Sequence, residues 1–285
     1  ISTGANAITA NATGGFTQPY LAPIVNITSG GSFTSTLATA IDSSAIASGN
    51  GGYIKVTTGT SGGIGTLQAN GTGTGNGGRI DLTINGSTAT SIGAGTAANQ
   101  TRQLIANAGV TAGTGGTVLV DSSTGPASLT LSNAISATPI TVTATGSGTG
   151  GIIGINAGTG GVTFGATTTL SANGVGNGSA STDPLALNGG NAVQIIAGTV
   201  TAVAANAINA RGGAVAGNTG NGGNIAVSLS GAGASTLGAL NSTSGTGGGT
   251  AGKIAISSVG NVALASTVTA TSNSAAAVTP ASNLI

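Results

Sequence analysis

One short phrase recurs along most of the chain: a glycine pair in most copies, one variable residue, and two aliphatic residues separated by a single position. The first aliphatic residue of each copy is its anchor, and the anchors are Ile54, Ile80, Val118, Ile153, Val193, Ile225 and Ile254. They lie 26, 38, 35, 40, 32 and 29 residues apart. Constant strands joined by connections of variable length are typical of a solenoid, because each repeat stacks its strand on the previous one.

Alternation within the phrase assigns its two faces, because successive side chains of a strand point to opposite sides of a sheet. Ile80 and Leu82 are predicted to face inward, whereas Asp81 faces solvent. The same rule predicts further inward positions at Ile54, Val56, Val118, Val120, Ile225 and Val227, and further outward positions at Lys55, Leu119 and Ala226.

A second phrase, an aliphatic residue followed shortly by Asn and Gly, precedes most glycine pairs. Its copies are residues 66–71, 104–109, 169–174 and 207–212. We therefore expect two strands or two rungs in each period, with Asn and Gly at corners where φ is positive and with stacked Asn side chains bonding to one another. At about 18–20 residues per rung, the solenoid would have about 15 rungs and be about 70 Å long.

The composition favours an ordered all-β chain and argues against several functions. Of 285 residues, 55 are Gly, and the chain has five basic and four acidic residues with a net charge of +1. A mean hydropathy of +0.38 is too high for disorder by composition. The scattered Lys and Arg residues argue against nucleic-acid binding, and no run of about 18 apolar residues predicts a transmembrane helix. The predicted fold is a single elongated parallel β-helix.

The two ends of the chain differ from the repeats. Residues 1–35 are predicted to form a cap or an arm that docks onto a neighbouring subunit, residues 36–275 the solenoid, and residues 276–285 a tail. A cap over the first rung and a docking arm both fit this N-terminal segment. The candidate assembly contacts are Phe16, Tyr20, Phe33, Leu284 and Ile285.

The sequence predicts no catalytic, metal or cofactor site, and we expect the protein not to be an enzyme. Some parallel β-helices cleave polysaccharides with clustered carboxylates, but the acids here are only Asp42, Asp81, Asp121 and Asp183. Asp81 and Asp121 follow equivalent strands, and intervening rungs would separate them by roughly 10 Å. There is no His to serve as the base of a nucleophilic triad.

Repeated Thr-x-Thr runs suggest a second class of function. They lie at residues 58–60, 72–74, 88–90, 141–145, 199–201 and 267–271. An ice-binding solenoid uses such threonines as a flat grid that orders water. The gaps of 14, 16, 53, 58 and 68 residues are too irregular for a continuous face, and the preference of threonine for strands explains the runs equally well.

The strings at residues 48–54, 75–80 and 220–225 resemble the repeat of filamentous-haemagglutinin-like and related two-partner-secretion or autotransporter passenger proteins. The likeness covers roughly residues 45–275. It implies a right-handed parallel β-helix at a bacterial surface, where such proteins serve as adhesins and fibres. The secretion-domain motif of that family is not evident here.

These observations predict an extracellular structural protein that self-associates into a cell-surface filament or fibrous layer. The open rungs of a solenoid invite a further strand, and a net charge near zero removes long-range repulsion between copies. A chain that begins at Ile1 and contains no Met is expected to be processed. The main alternative is the stalk of a secreted adhesin that binds surface glycans or other cells.

Overall fold

The fold is all-β in the computed structural model, and every helix or strand element of the described chain is a strand. The structure describes residues 1–4, 6–17, 22–35, 38–60, 63–97, 100–125, 128–175, 179–180, 191–213 and 219–273. Its strands are β1 (Ile8–Thr9), β2 (Val25–Ser32), β3 (Thr39–Asp42), β4 (Tyr53–Thr60), β5 (Thr66–Gln68), β6 (Arg79–Ile84), β7 (Thr90–Ile92), β8 (Gln100–Thr101), β9 (Leu104–Ile105), β10 (Thr117–Asp121), β11 (Ser128–Leu131), β12 (Ile140–Thr141), β13 (Ile152–Asn156), β14 (Gly161–Phe164), β15 (Thr169–Ser171), β16 (Val193–Ala197), β17 (Thr199–Thr201), β18 (Ala207–Asn209), β19 (Ile225–Leu229), β20 (Ser235–Leu237), β21 (Ala239–Asn241), β22 (Ile254–Ser258), β23 (Val262–Leu264) and β24 (Val268–Thr269).

These strands form three parallel sheets. Sheet A has the order β1-β3-β5-β9-β12-β15-β18-β21-β24, sheet B the order β2-β4-β6-β10-β13-β16-β19-β22, and sheet C the order β23-β20-β17-β14-β11-β7-β8. From β10 onward, the chain visits sheets B, C and A in turn, contributing one strand to each. The three sheets are therefore the walls of a parallel β-helix, as the sequence predicts.

The seven sequence anchors occupy one position of sheet B, in register. Ile54 pairs with Ile80, Ile80 with Val118, and the match continues without a shift to Ile254. One anchor interval is therefore one complete coil, and the prediction of about 15 rungs over 70 Å is wrong. Nine strands in sheet A leave eight intervals, which at about 4.8 Å each give a stack about 38 Å long.

The second sequence phrase forms sheet A, and the sequence missed sheet C. The predicted strands at residues 66–68, 104–105, 169–171 and 207–209 are β5, β9, β15 and β18. From the coil that begins at β6 onward, each coil also carries a short strand of sheet C, so the prediction of two strands per period is wrong for these coils. In one coil both β7 and β8 enter sheet C, and they pair with each other in parallel, which accounts for part of the 38-residue anchor interval from Ile80 to Val118.

The core consists of aliphatic side chains that stack from coil to coil. The anchor row of sheet B is buried from Val25 to Ile254, and the next inward row contains Val56, Leu82 and Val120, none of them more than 2% exposed. Asp81 and Lys55, predicted to face outward, are only half-buried. The predicted faces of sheet B are therefore confirmed, because alternation places every second side chain in the interior.

The glycine pairs mark a corner where sheets A and B approach each other closely. A Cβ on Gly77 would overlap the carbonyl oxygen of Ala106, and one on Gly116 would lie 2.8 Å from the Cβ of Ala106. The second glycine of a pair also donates a backbone hydrogen bond across the corner, as Gly78 does to the Ala69 carbonyl at 2.7 Å. Glycine is required at this corner because any side chain would push the two walls apart.

At this corner, Asn side chains accept hydrogen bonds from the next coil in place of backbone carbonyl groups. The Ala69 carbonyl accepts from Gly78 across the corner, and the backbone N–H of Asn107 in the next coil donates elsewhere. The side-chain oxygen of Asn70 accepts that bond instead, from the backbone N–H of Asn107 at 3.0 Å. The expected side-chain ladder is therefore wrong in detail, since these Asn side chains bond to the backbone of the next coil.

The first 35 residues belong to the β-helix itself. Strand β1 pairs with β3 in sheet A, and β2 pairs with β4 in sheet B. The segment thus supplies the first strands of two walls, and the boundary at residue 35 stays a prediction. The predicted tail, residues 276–285, lies outside the described residues.

Candidate functional site: the helix ends and the outer faces

Of the five predicted assembly contacts, the structure describes Phe16 and Phe33. Phe33 has no exposed surface and belongs to the core, so its side chain is not presented to a second subunit. Phe16 is half-buried, and its backbone is joined to Asn50 by two hydrogen bonds of 3.0 Å. Tyr20, Leu284 and Ile285 lie outside the described residues.

The C-terminal end of the described β-helix exposes side chains at positions that are buried in the earlier coils. Strands β22, β24 and β23 are the last members of sheets B, A and C. Leu264 is 52% exposed, whereas Leu237, its partner in the preceding coil, is 1% exposed. Ile256 is half-buried, while its partner Val227 is buried. Among the described residues, the interior rows therefore end on an uncovered apolar rung.

The N-terminal end is more nearly closed. On the edge strand β2, Val25 and Ile27 are 8% and 9% exposed. The Ile1 ammonium donates to the Ser32 carbonyl at 2.8 Å, which ties the first residue to the end of that strand. The two ends therefore present different surfaces, although the same inward rows of sheet B reach both of them.

A charged cluster joins two coils on the outer face of sheet B. The Arg79 guanidinium donates two hydrogen bonds to the carboxylate of Asp81, at 2.8 and 2.7 Å, and lies 4.7 Å from the centre of the Tyr53 ring. The Tyr53 hydroxyl donates to the same carboxylate at 2.6 Å. Burial and, after it, the hydrogen bond to Asp81 together raise the pKa of Tyr53 to about 12.

The carboxylates of the described chain are engaged in structural contacts. Asp81 and Asp121 lie on adjacent strands in a diagonal arrangement, so sheet spacings place their Cα atoms about 8 Å apart rather than on separated rungs. Asp121 accepts a bond from the Ser123 N–H at 3.0 Å, and Asp42 accepts one from the Ser44 N–H at 2.9 Å. Asp183 lies outside the described residues. This arrangement supports turn capping and coil clamping.

The predicted threonine runs do not form one surface. Residues 58–60 lie in β4 of sheet B and residues 199–201 in β17 of sheet C, while Thr141 and Val268–Thr269 lie in sheet A. The structure instead reveals one file of threonines on the outside of sheet C, which the sequence missed. Its members are Thr130, Thr163, Thr201 and Thr236. They follow their anchors by 12, 10, 8 and 11 residues, so no constant spacing signals the file.

One cavity in the described part of the chain is small. The cavity beside Phe164, Asn206 and Leu237 has space for about one water molecule. Within the described residues, no three His, Cys, Asp or Glu residues cluster as metal ligands. That part of the chain also forms no helix that is long and apolar enough to cross a membrane.

Three parallel walls around a single aliphatic interior define the class of this chain, a parallel β-helix protein. In comparisons of its sequence and structure, no family model, curated protein or solved structure matches it.

Proposed function

We propose that this chain is an extracellular structural protein, a subunit of a cell-surface filament or fibrous layer that grows by stacking helix ends. The observation that carries the proposal is the uncovered rung at Ile256 and Leu264, whose counterparts in the preceding coil are buried. Covering such apolar surface stabilises an assembly by roughly 25 cal/mol per Å². A second copy would supply the next rung.

The chemistry of the two ends supports head-to-tail stacking. The inward rows that end at Ile254 and Ile256 begin at Val25 and Ile27, so the same kinds of aliphatic side chain would meet across the joint. Edge strands normally carry charged residues or prolines, which block pairing with another chain. Strands β1, β2, β22, β23 and β24 contain neither. Contact between unlike ends gives an open filament when successive copies stack along one axis.

The overall charge and the sequence resemblance support the same proposal. A net charge of +1 imposes little electrostatic repulsion on copies stacked along an axis. The glycine-pair strings resemble those of bacterial surface adhesins and fibres, which is the basis for proposing an extracellular location. The rival proposal is a monomeric adhesin stalk. In that case no second copy of the chain would cover the uncovered rung.

Two point variants test the filament. Leu264→Asp places a carboxylate on the uncovered rung, and Val110→Asp is the matched control because Val110 is 89% exposed in a connection away from that rung. We expect the wild type and Val110→Asp to form filaments in electron micrographs and to sediment as polymers, and Leu264→Asp to stay monomeric with a similar melting temperature. A wild type that stays monomeric at high concentration, or equal polymerisation of all three, would refute stacking through this end.

Point variants are a sharper test than deleting residues 1–35. Strands β1 and β2 supply the first strands of sheets A and B. Their deletion would uncover the next coil as well as remove an end, so a loss of polymer could reflect either effect.

A further inference from the structure

Asn–Gly pairs are the reactive dipeptides of this chain. In an Asn–Gly pair, the glycine nitrogen can attack the side-chain carbonyl carbon of Asn, because glycine has no Cβ to hinder the approach. The chain has six such pairs within the described residues: Asn50–Gly51, Asn70–Gly71, Asn76–Gly77, Asn85–Gly86, Asn173–Gly174 and Asn221–Gly222. Their environments differ sharply.

Five of the six pairs are held by the same two-point clamp. In each, the Asn side-chain oxygen accepts from the backbone N–H of one residue on the next coil, and the glycine N–H donates to the carbonyl of that same residue. Asn70 and Gly71 hold Asn107 in this way, at 3.0 and 2.8 Å. The residues held by the other four clamps are Asn76, Thr114, Arg211 and Thr250.

The clamp opposes the reaction at both reacting atoms. The glycine nitrogen must lose its proton before it attacks, but its N–H is committed to a carbonyl at 2.8–2.9 Å. The Asn side chain must also rotate its carbonyl carbon toward that nitrogen, which would break the bond to the next coil. Both hydrogen bonds must therefore open first, and each is part of the ladder between coils.

Asn85–Gly86 has no such clamp. The Asn85 side chain is exposed, and its oxygen accepts only from the hydroxyl of Thr124 at 2.8 Å. In the described part of the chain, the Gly86 N–H donates to no acceptor. We propose that Asn85 is a site of spontaneous deamidation in the folded protein, whereas the five clamped Asn residues are protected by the stacked coils. This inference does not depend on the proposed function.

The reaction needs only water. The deprotonated Gly86 nitrogen bonds to the side-chain carbonyl carbon of Asn85, and the amide nitrogen takes up a proton and leaves as ammonia. The cyclic imide then adds one water and opens to aspartate or isoaspartate. The product carries one new carboxylate, which lowers the net charge from +1 to zero and places a negative group on the outward side of the chain beyond Asp81 and Thr83.

Peptide mapping tests this assignment. The folded protein is incubated at mildly alkaline pH and 37 °C, digested with trypsin, and analysed by tandem mass spectrometry for the gain of 1 Da and for isoaspartate. Cleavage after Lys55, Arg79 and Arg102 separates Asn85 from Asn70 and Asn76. We expect Asn85 to deamidate at least tenfold faster than Asn70 and Asn76.

A denatured sample is the control for intrinsic reactivity. In urea the clamps are absent, so the rates at Asn70 and Asn76 are expected to rise to that at Asn85. Equal rates at the three sites in the folded protein would overturn the proposal, as would an Asn85 that stays unmodified while Asn70 reacts. A difference between the sites that persists in urea would also overturn it, because local sequence would then explain the order.

Discussion

Replacing one glycine of a pair with alanine tests whether the corner between sheets A and B is as tight as the structure shows. In Gly77→Ala, the new Cβ would overlap the Ala106 carbonyl oxygen and lie 2.5 Å from the Gly116 nitrogen. Both contacts are with backbone, which cannot rotate away as a side chain can. The variant must therefore move one wall of the helix relative to the other.

The matched control is Gly161→Ala in the middle of sheet C. A Cβ on Gly161 would meet only the Thr199 hydroxyl at 3.2 Å and the Thr199 carbonyl oxygen at 3.9 Å. Both substitutions reduce the freedom of the unfolded chain and stabilise by about 0.4–1 kcal/mol where the fold accepts them. That contribution is shared, so the difference between the variants measures the clash.

Overpacking of this kind costs typically about 1–3 kcal/mol. We therefore expect the free energy of unfolding of Gly77→Ala to fall by about 2 kcal/mol, and that of Gly161→Ala to stay the same or rise slightly. For a chain of this size, 2 kcal/mol lowers the melting temperature by about 3–4 °C. Urea titrations and thermal melts followed by circular dichroism measure both. If Gly77→Ala is as stable as Gly161→Ala, the close approach does not explain the glycine pairs.

Two further variants test the faces and the charged cluster. Ile225→Asp buries a carboxylate at a position that is 1% exposed and should destabilise the fold by several kcal/mol. Ala226→Asp, whose neighbours in register are Gln194 and Ala255, should change the stability by less than about 0.5 kcal/mol. Equal melting temperatures of the two variants would contradict the assigned faces. Because the folded-state pKa of Tyr53 is raised to about 12 from 10.0, its contribution to stability is complete below pH 10 and is lost as the pH rises through 12. Wild type should therefore lose up to about 2 kcal/mol more than Tyr53→Phe between pH 9 and 12 in urea titrations. Parallel losses would show that folding does not raise the pKa of the Tyr53 phenol.

The sequence by itself determined the register and the faces of sheet B. The anchors from Ile54 to Ile254 could be aligned from the sequence because the glycine pair and the alternating aliphatic residues are local features. A strand pairs with its copy in the next coil whatever the length of the connection between them. For the same reason the residues of sheet A were predictable as strands from phrases such as residues 66–71.

The number of strands per coil was decided only by the tertiary structure. Sheet C consists of short strands with ordinary polar alternation, such as Ser128–Leu131, and nothing local separates them from loops. A connection forms a strand of the third wall only if the turns at its two ends place it beside the equivalent connection of the next coil. The predicted rung length was too short because the two phrases of one period were counted as two rungs, whereas they form two walls of a single coil.

The partners of the candidate residues also depended on the assembled fold. Phe33 was predicted at a contact surface because it lies outside the repeats, yet packing buries it completely. The clamp between Asn70, Gly71 and Asn107 joins residues up to 37 positions apart. The sequence specifies which positions carry glycine or asparagine. The stacking of one coil on the next determines which carbonyl group each glycine lies against, and from which N–H group each asparagine side chain accepts a hydrogen bond.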